Sequence, residues 1–155
     1  MASRSIEVVL DTGQLSAPMP VLIGVSPPGK DADVTMTTSE IKVHRTNTIL
    51  YCEAFETTVR FYRDQLKLPI TAQKDWFVEF RLNDSAFMSI ADAGRTTIPP
   101  GSGAGITLSW QVEDVRAMRY RLVDIGIEAS PVEWKWGAWV TYFRDPVGNR
   151  IELWS

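Results

Sequence analysis

From Thr46 onward the chain spells one pattern twice, and that duplication narrows its possible folds more than any other feature. Asn47–Cys52 predicts a strand. Ala54–Leu66 predicts a helix with Phe55, Val59, Tyr62 and Leu66 on one stripe. Strands are expected at Trp76–Leu82 and Ala86–Ala91, then a Gly/Pro loop from Pro99 to Gly105. The order then recurs. Ile106–Val112 is a strand, Asp114 a helix N-cap, and Val115, Met118, Leu122 and Ile125 the buried stripe of a second helix stopped by Gly126. Strands near Val132–Trp136, Trp139–Arg144 and Arg150–Trp154 close the second unit. The two halves superpose at an offset of sixty residues, which sets Glu53 on Glu113 and Asp64 on Asp124. An α+β domain over residues 42–155 follows, built from modules at about 46–92 and 106–155.

The last thirteen residues, Phe143 to Ser155, carry the chemistry most directly. Asp145-Pro146 opens a turn, Gly148-Asn149 tolerates positive φ, and Ile151 and Leu153 alternate with Glu152. That alternation puts the Glu152 carboxylate on the face opposite its two apolar neighbours. This ending, the Phe61–Pro69 run FYRDQLKLP and the duplication together resemble the vicinal oxygen chelate superfamily, the glyoxalase, bleomycin-resistance and dioxygenase group. The resemblance covers about Thr46 to Ser155. It implies two βαβββ modules whose sheets form an open, cupped half-barrel, and a homodimer whose clefts are completed by the second chain.

The same resemblance implies where a metal would sit. In metal-dependent relatives two histidines open the first strands of the two modules, and the closing-strand glutamate joins them. Here those positions hold Asn47, Thr107 and Glu152. Zinc or iron(II) wants about three charged or imidazole ligands, and an amide and a hydroxyl are poor substitutes. His44, the single histidine, stands three residues before the ligand position, facing the opposite side in a continuous strand. No metal and no cofactor is expected.

Strand alternation supplies the lining of a cleft instead. If Asn47 faces it, Ile49 and Tyr51 follow; if Thr107 does, Ser109 and Gln111 follow. Glu152 brings Trp154, and the resemblance adds Tyr142, three residues before Asp145-Pro146, with Val140 beside it. Aromatic faces, amides, hydroxyls and one acid suit a planar or amphipathic organic molecule. Glu79 and Arg81 either line the other half of this cleft or form a surface ion pair. Glu152 acts as a general acid or base, pairs with Lys135 or an arginine, or stays solvated. The facing of Trp134, Trp136 and Trp139 depends on the turn between them. A two-residue turn at Gly137-Ala138 places Glu133 and Lys135 on the Tyr142 face, and an odd-length turn sends Trp134 and Trp136 there instead.

Composition trims the remaining classes. The 155 residues are 45% hydrophobic with a net charge of −3, enough for one core and without the basic block that nucleic acid or an anionic membrane would call for. A single cysteine, Cys52, rules out an internal disulfide, and no signal-like or membrane-spanning run stands out, so a cytoplasmic protein is expected. Gly101 to Gly105 lacks the lysine of a phosphate loop and reads as a linker, and no serine sits in a nucleophile elbow. Residues 1–41 form an N-terminal extension with β-branched runs at Ile6–Leu10 and Pro20–Val25, either a tail or an arm that adds a strand. Two small-molecule classes stand, beside a third reading in which the domain only mediates protein association with the N-terminal arm as the contact. One is a metal-independent binding protein that sequesters, carries or confers resistance to a small organic molecule. The other is a cofactor-free lyase, isomerase or proton-transfer enzyme using Glu152 with Tyr142 or Tyr51.

Overall fold

The computed structural model describes residues 41–155; the expected strands at Ile6–Leu10 and Pro20–Val25 lie outside the described residues. Two four-stranded sheets are each built in the same order. In the first, β1 (Thr46–Cys52) pairs parallel with β4 (Ala86–Asp92), followed by β3 (Phe77–Arg81) and β2 (Ile70–Lys74). In the second, β5 (Thr107–Gln111) pairs parallel with β8 (Arg150–Trp154), followed by β7 (Ala138–Arg144) and β6 (Glu133–Lys135). The β-α-β-β-β duplication is therefore real, and neither sheet closes on itself. Strand β2 escapes sequence reading because all five of its residues are exposed, so it has no apolar alternation to announce it.

Each sheet has a helix-covered face and an open one. Leu50, Cys52, Val78, Phe80, Met88 and Ile90 of the first sheet and Leu108, Phe143, Ile151 and Leu153 of the second belong to one continuous core. Helix α1 (Phe55–Arg60) runs on as a widened π-helical turn, Phe61–Gln65, in which the Leu66 N–H bonds the Phe61 carbonyl. That widening lets two adjacent residues, Phe61 and Tyr62, both be buried. Phe61 then reaches Phe143 of the second sheet, with ring centroids 6.4 Å apart. The Tyr62 hydroxyl donates to Asp145 Oδ2 at 2.9 Å, tying the first helix to the last turn.

Helix α2 (Val115–Asp124) begins as expected. Asp114 Oδ1 accepts from the N–H groups of Arg116 and Ala117 at 2.9 and 3.0 Å. It ends in a Schellman motif. Gly126, at φ 83°, lets its own N–H reach the Val123 carbonyl and the Ile127 N–H reach Leu122. The reversal corrects one expectation: Ile125 is 47% exposed, and Ile127 takes the buried place beyond the glycine. The turn closing the domain is organised by Asp145, whose carboxylate accepts from the Val147 and Asn149 N–H groups and the Asn149 side chain besides Tyr62. Gly103 packs on it so tightly that a Cβ there would lie 2.2 Å from the Gly148 carbonyl oxygen.

Candidate ligand-binding site

On the open face of the second sheet, strand register lines the expected residues up in rows. Ser109, Glu152 and Tyr142 are cross-strand neighbours in one row; Gln111, Trp154, Val140 and Glu133 form the next. A third row holds Thr107, as expected, with Arg150 and Arg144, two residues that sequence reading missed. Their signal was present: Arg150 and Arg144 each stand two residues from an assigned member of this face.

The central row holds the most reactive chemistry. Ser109 Oγ donates to Glu152 Oε1 at 2.6 Å, and Glu152 is only 6% exposed. Beside it the Tyr142 hydroxyl is buried and makes no well-formed hydrogen bond, although Glu152 and Arg150 both stand close to it. Burial first, then the neighbouring Glu152, push the Tyr142 phenol up to about 12, against the opposing pull of Arg150. At neutral pH this phenol keeps its proton and is a donor. Its ring is flanked by cations: the Arg150 guanidinium lies 4.0 Å and the Lys135 ammonium 5.6 Å from the centroid. Lys135 pairs with Glu133 at 2.5 Å rather than with Glu152.

The open face of the first sheet is built differently. Asn47 Nδ2 donates to Glu79 Oε2 at 3.0 Å and Asn47 Oδ1 accepts from Ser89 at 3.0 Å. Thr71 donates to Glu79 Oε1 at 2.7 Å, and Arg45 closes an ion pair with it at 2.5 Å while lying over the Phe87 ring. The Thr71 hydroxyl and then Arg45 hold the Glu79 carboxyl below its ordinary range. Glu79 thus takes the ion-pair role, with Arg45 rather than Arg81 as partner. Ile49 and Tyr51 share this face and line a separate hollow of about 300 Å³ with Trp76, Phe77 and Ile98. The ten assigned residues therefore form two groups. Asn47, Ile49 and Tyr51 stand on one sheet and the other seven on its counterpart, with the hydrogen bonds of each group kept within its own sheet.

The tryptophan hairpin is resolved, with one correction. Its two turn residues are Trp136 and Gly137, at φ 53° and 85°, one position earlier than Gly137-Ala138. The face assignment of the two-residue turn stands. Glu133 and Lys135 share the Tyr142 face, while Trp134 and Trp139 stack edge-on at 5.3 Å on the other side, with Arg116 over Trp139.

The residues at the metal-ligand positions do not fit zinc or iron(II). The Asn47 amide is bonded at both ends within its own sheet, Thr107 offers only a neutral oxygen, and Glu152 is the one anionic donor of the three. His44 is exposed and precedes β1. Among the described residues no group of three or more His, Cys, Asp or Glu is gathered. Cys52 is buried, and burial first, then Asp145, push its thiol up to about 11, which keeps it protonated at neutral pH. Among the same residues no helix is long and apolar enough to cross a membrane.

Comparison with known proteins agrees with this architecture. Among solved structures, a glyoxalase/bleomycin resistance protein/dioxygenase from Nocardioides superposes with a TM-score of 0.63 at 23% identity, covering 77% of this chain and 85% of its own. TnmS3, an antibiotic binding protein from Streptomyces sp. CB03234, gives 0.62 at 20% identity over 75% and 97%. Lactoylglutathione lyase from Agrobacterium tumefaciens gives 0.57 at 22% over 70% and 90%. At these identities the likeness is one of fold. Among curated proteins the sequence has no match. The glyoxalase-like domain family model, however, matches residues 45–155, and with both modules and the closing strand inside that match the chain belongs to the glyoxalase-like family of the vicinal oxygen chelate superfamily.

Proposed function

We propose that this protein binds a planar or amphipathic organic molecule on the open face of its second sheet, without a metal, and sequesters or carries it. The observation that carries the reading is the buried Tyr142 hydroxyl, left without a partner beside the Ser109–Glu152 pair. An unmet buried hydroxyl costs about 1–3 kcal/mol, and a ligand oxygen accepting from Tyr142 would relieve that cost. Glu152 would accept from a ligand hydroxyl or N–H, and Trp154 and Gln111 would extend the floor in the next row. The likeness in fold to TnmS3, named as an antibiotic binding protein, is in keeping with small-molecule binding; drug resistance and a cytoplasmic location are part of the same proposal. A homodimer fits the same reading, because a second copy would supply the missing wall over an open sheet.

Titrating the protein with planar aromatic natural products and following tryptophan fluorescence tests this. Quenching is expected, removed in Trp154→Phe and weakened about tenfold or more in Glu152→Gln, the loss of one charge-assisted hydrogen bond. Binding that depends on one equivalent of zinc, iron or manganese per chain would overturn it. A second reading is favoured by the cross-strand placement of Glu152 and Tyr142: a cofactor-free enzyme in which Glu152 transfers a proton and the Tyr142 phenol steadies the developing oxyanion. It requires turnover that Glu152→Gln abolishes.

A further inference from the structure

Arg144 and Arg150 are direct cross-strand partners at one end of the second sheet. Side chains so opposed start about 5 Å apart, where like charges repel. A pair of this kind weakens strand pairing unless something compensates it. Among the described residues neither arginine joins an ion pair. Arg144 Nη1 donates to the Gly148 carbonyl at 2.6 Å, and Arg150 lies over the Tyr142 ring. Arg144 and Arg150 are both among the residues lining an open cleft of about 960 Å³ at the margin of the sheet, bordered by Tyr142 and Ser130 and, from the helix side, by Phe61, Val123 and Ile127.

The acids of that cleft are Glu128 and Asp145. Glu128 is exposed and pairs with neither arginine. The Asp145 carboxylate is occupied by Tyr62, Asn149 and backbone N–H groups. Two cations that join no ion pair therefore border an accessible hollow beside the Tyr142 ring. We infer that Arg144 and Arg150 form an oxyanion subsite, which receives a carboxylate or phosphate group carried by the ligand. Planar, forked guanidinium groups suit either anion, and two of them can hold one between them. The inference rests on the second sheet's open face being the ligand face, and it narrows the ligand to an anionic one.

The test uses the full chain and needs no cognate ligand. Thermal unfolding of the wild type, Arg144→Gln and Arg150→Gln is followed in chloride, inorganic phosphate and benzoate at matched ionic strength. At about ten times Kd, the wild-type Tm should rise by about 5 °C over chloride. The rise should fall to less than half in each variant. A larger response to benzoate assigns a carboxylate on an organic body, and a larger response to phosphate assigns a phosphoryl group. Equal rises in the wild type and both variants, or no rise over chloride at tens of millimolar anion, overturn the subsite. A neutral planar molecule bound with wild-type affinity by both variants shows that they fold. If it binds while the anion response is missing, the subsite fails and the ligand face survives; if Glu152→Gln leaves its affinity unchanged, the ligand face itself fails.

Discussion

The two open faces occupy equivalent places in a duplicated scaffold, yet their polar groups are disposed in opposite ways. Ser89 lies opposite Ile49 as Glu152 lies opposite Ser109, and Glu79 neighbours Ser89 as Tyr142 neighbours Glu152. In the first module the carboxylate sits on the Tyr142-equivalent position and is enclosed by Thr71, Asn47 and Arg45. In the second the carboxylate has Ser109 alone, and its phenol neighbour is unbonded. One face consumes its own hydrogen-bonding capacity; the other leaves a donor and part of an acceptor free. A shared fold therefore does not fix where function resides, and the satisfaction of individual polar atoms discriminates better.

The comparison presumes a common foundation beneath both faces, and the largest effect should come from breaking it. Asp145→Ala removes the acceptor shared by Tyr62, Asn149 and two backbone N–H groups, leaving several buried donors unmet. A loss of about 3 kcal/mol is expected in urea unfolding. Tyr62→Phe should lose about 1 kcal/mol. Because one core spans both modules, the transition should remain single. Two separate transitions would mean that the modules are independent and the comparison is between two domains.

Exchanging the acids sharpens the contrast. Glu79→Gln should lower stability by about 1 kcal/mol, since its partners are partly solvated, and leave ligand affinity intact. Glu152→Gln should do the reverse. The same contrast has a pH signature. Glu79 is held below its ordinary pKa in the folded protein by Thr71 and then Arg45, so its contribution is full above the unfolded value and lost as pH falls through the folded one. Relative to Glu79→Gln, the wild type should therefore lose its advantage below about pH 4.5 and keep it at neutral pH. An advantage that grows on acidification would refute the assignment of Glu79 as the structural acid.

Tyr142→Phe probes the other side of the ledger. It deletes a hydroxyl that bonds to nothing in the protein, so stability should hold within about 0.5 kcal/mol. Ligand affinity should fall by about 1 kcal/mol, one neutral hydrogen bond. A marked loss of stability would show that the hydroxyl already has a structural partner.

What the sequence disclosed follows from which signals are local. The closing turn, the strands on either side of it and the parity of Ser109, Tyr142 and Glu152 depend on alternation and turn chemistry, and all of them stand. Strand β2 has no buried residue, so nothing in its pattern distinguishes it from a loop. The enclosure of Glu79 depends on Thr71 and Arg45, and the first of these lies on that unannounced strand. Division of the ten assigned residues between two faces is a matter of how sheets are arranged, which alternation within a strand does not encode.

The smallest prediction returns to the duplication, through its two hairpins. Both modules join their second and third strands through two residues, Asp75-Trp76 after Lys74 and Trp136-Gly137 after Lys135. Only the second turn has positive φ at both positions, 53° and 85°, which is the type I′ geometry that matches strand twist. Glycine meets that demand at residue 137 without penalty, whereas a tryptophan at residue 136 is forced into the left-handed region. Asparagine tolerates that region and is the preferred first residue of such a turn. Trp136→Asn should therefore stabilise the protein by about 0.5–1 kcal/mol, while Trp76→Asn, at a turn with no positive φ, should gain nothing. If instead Trp136→Asn costs stability, the exposed indole makes a contact worth more than its backbone strain, and a partner surface over this hairpin becomes the thing to look for.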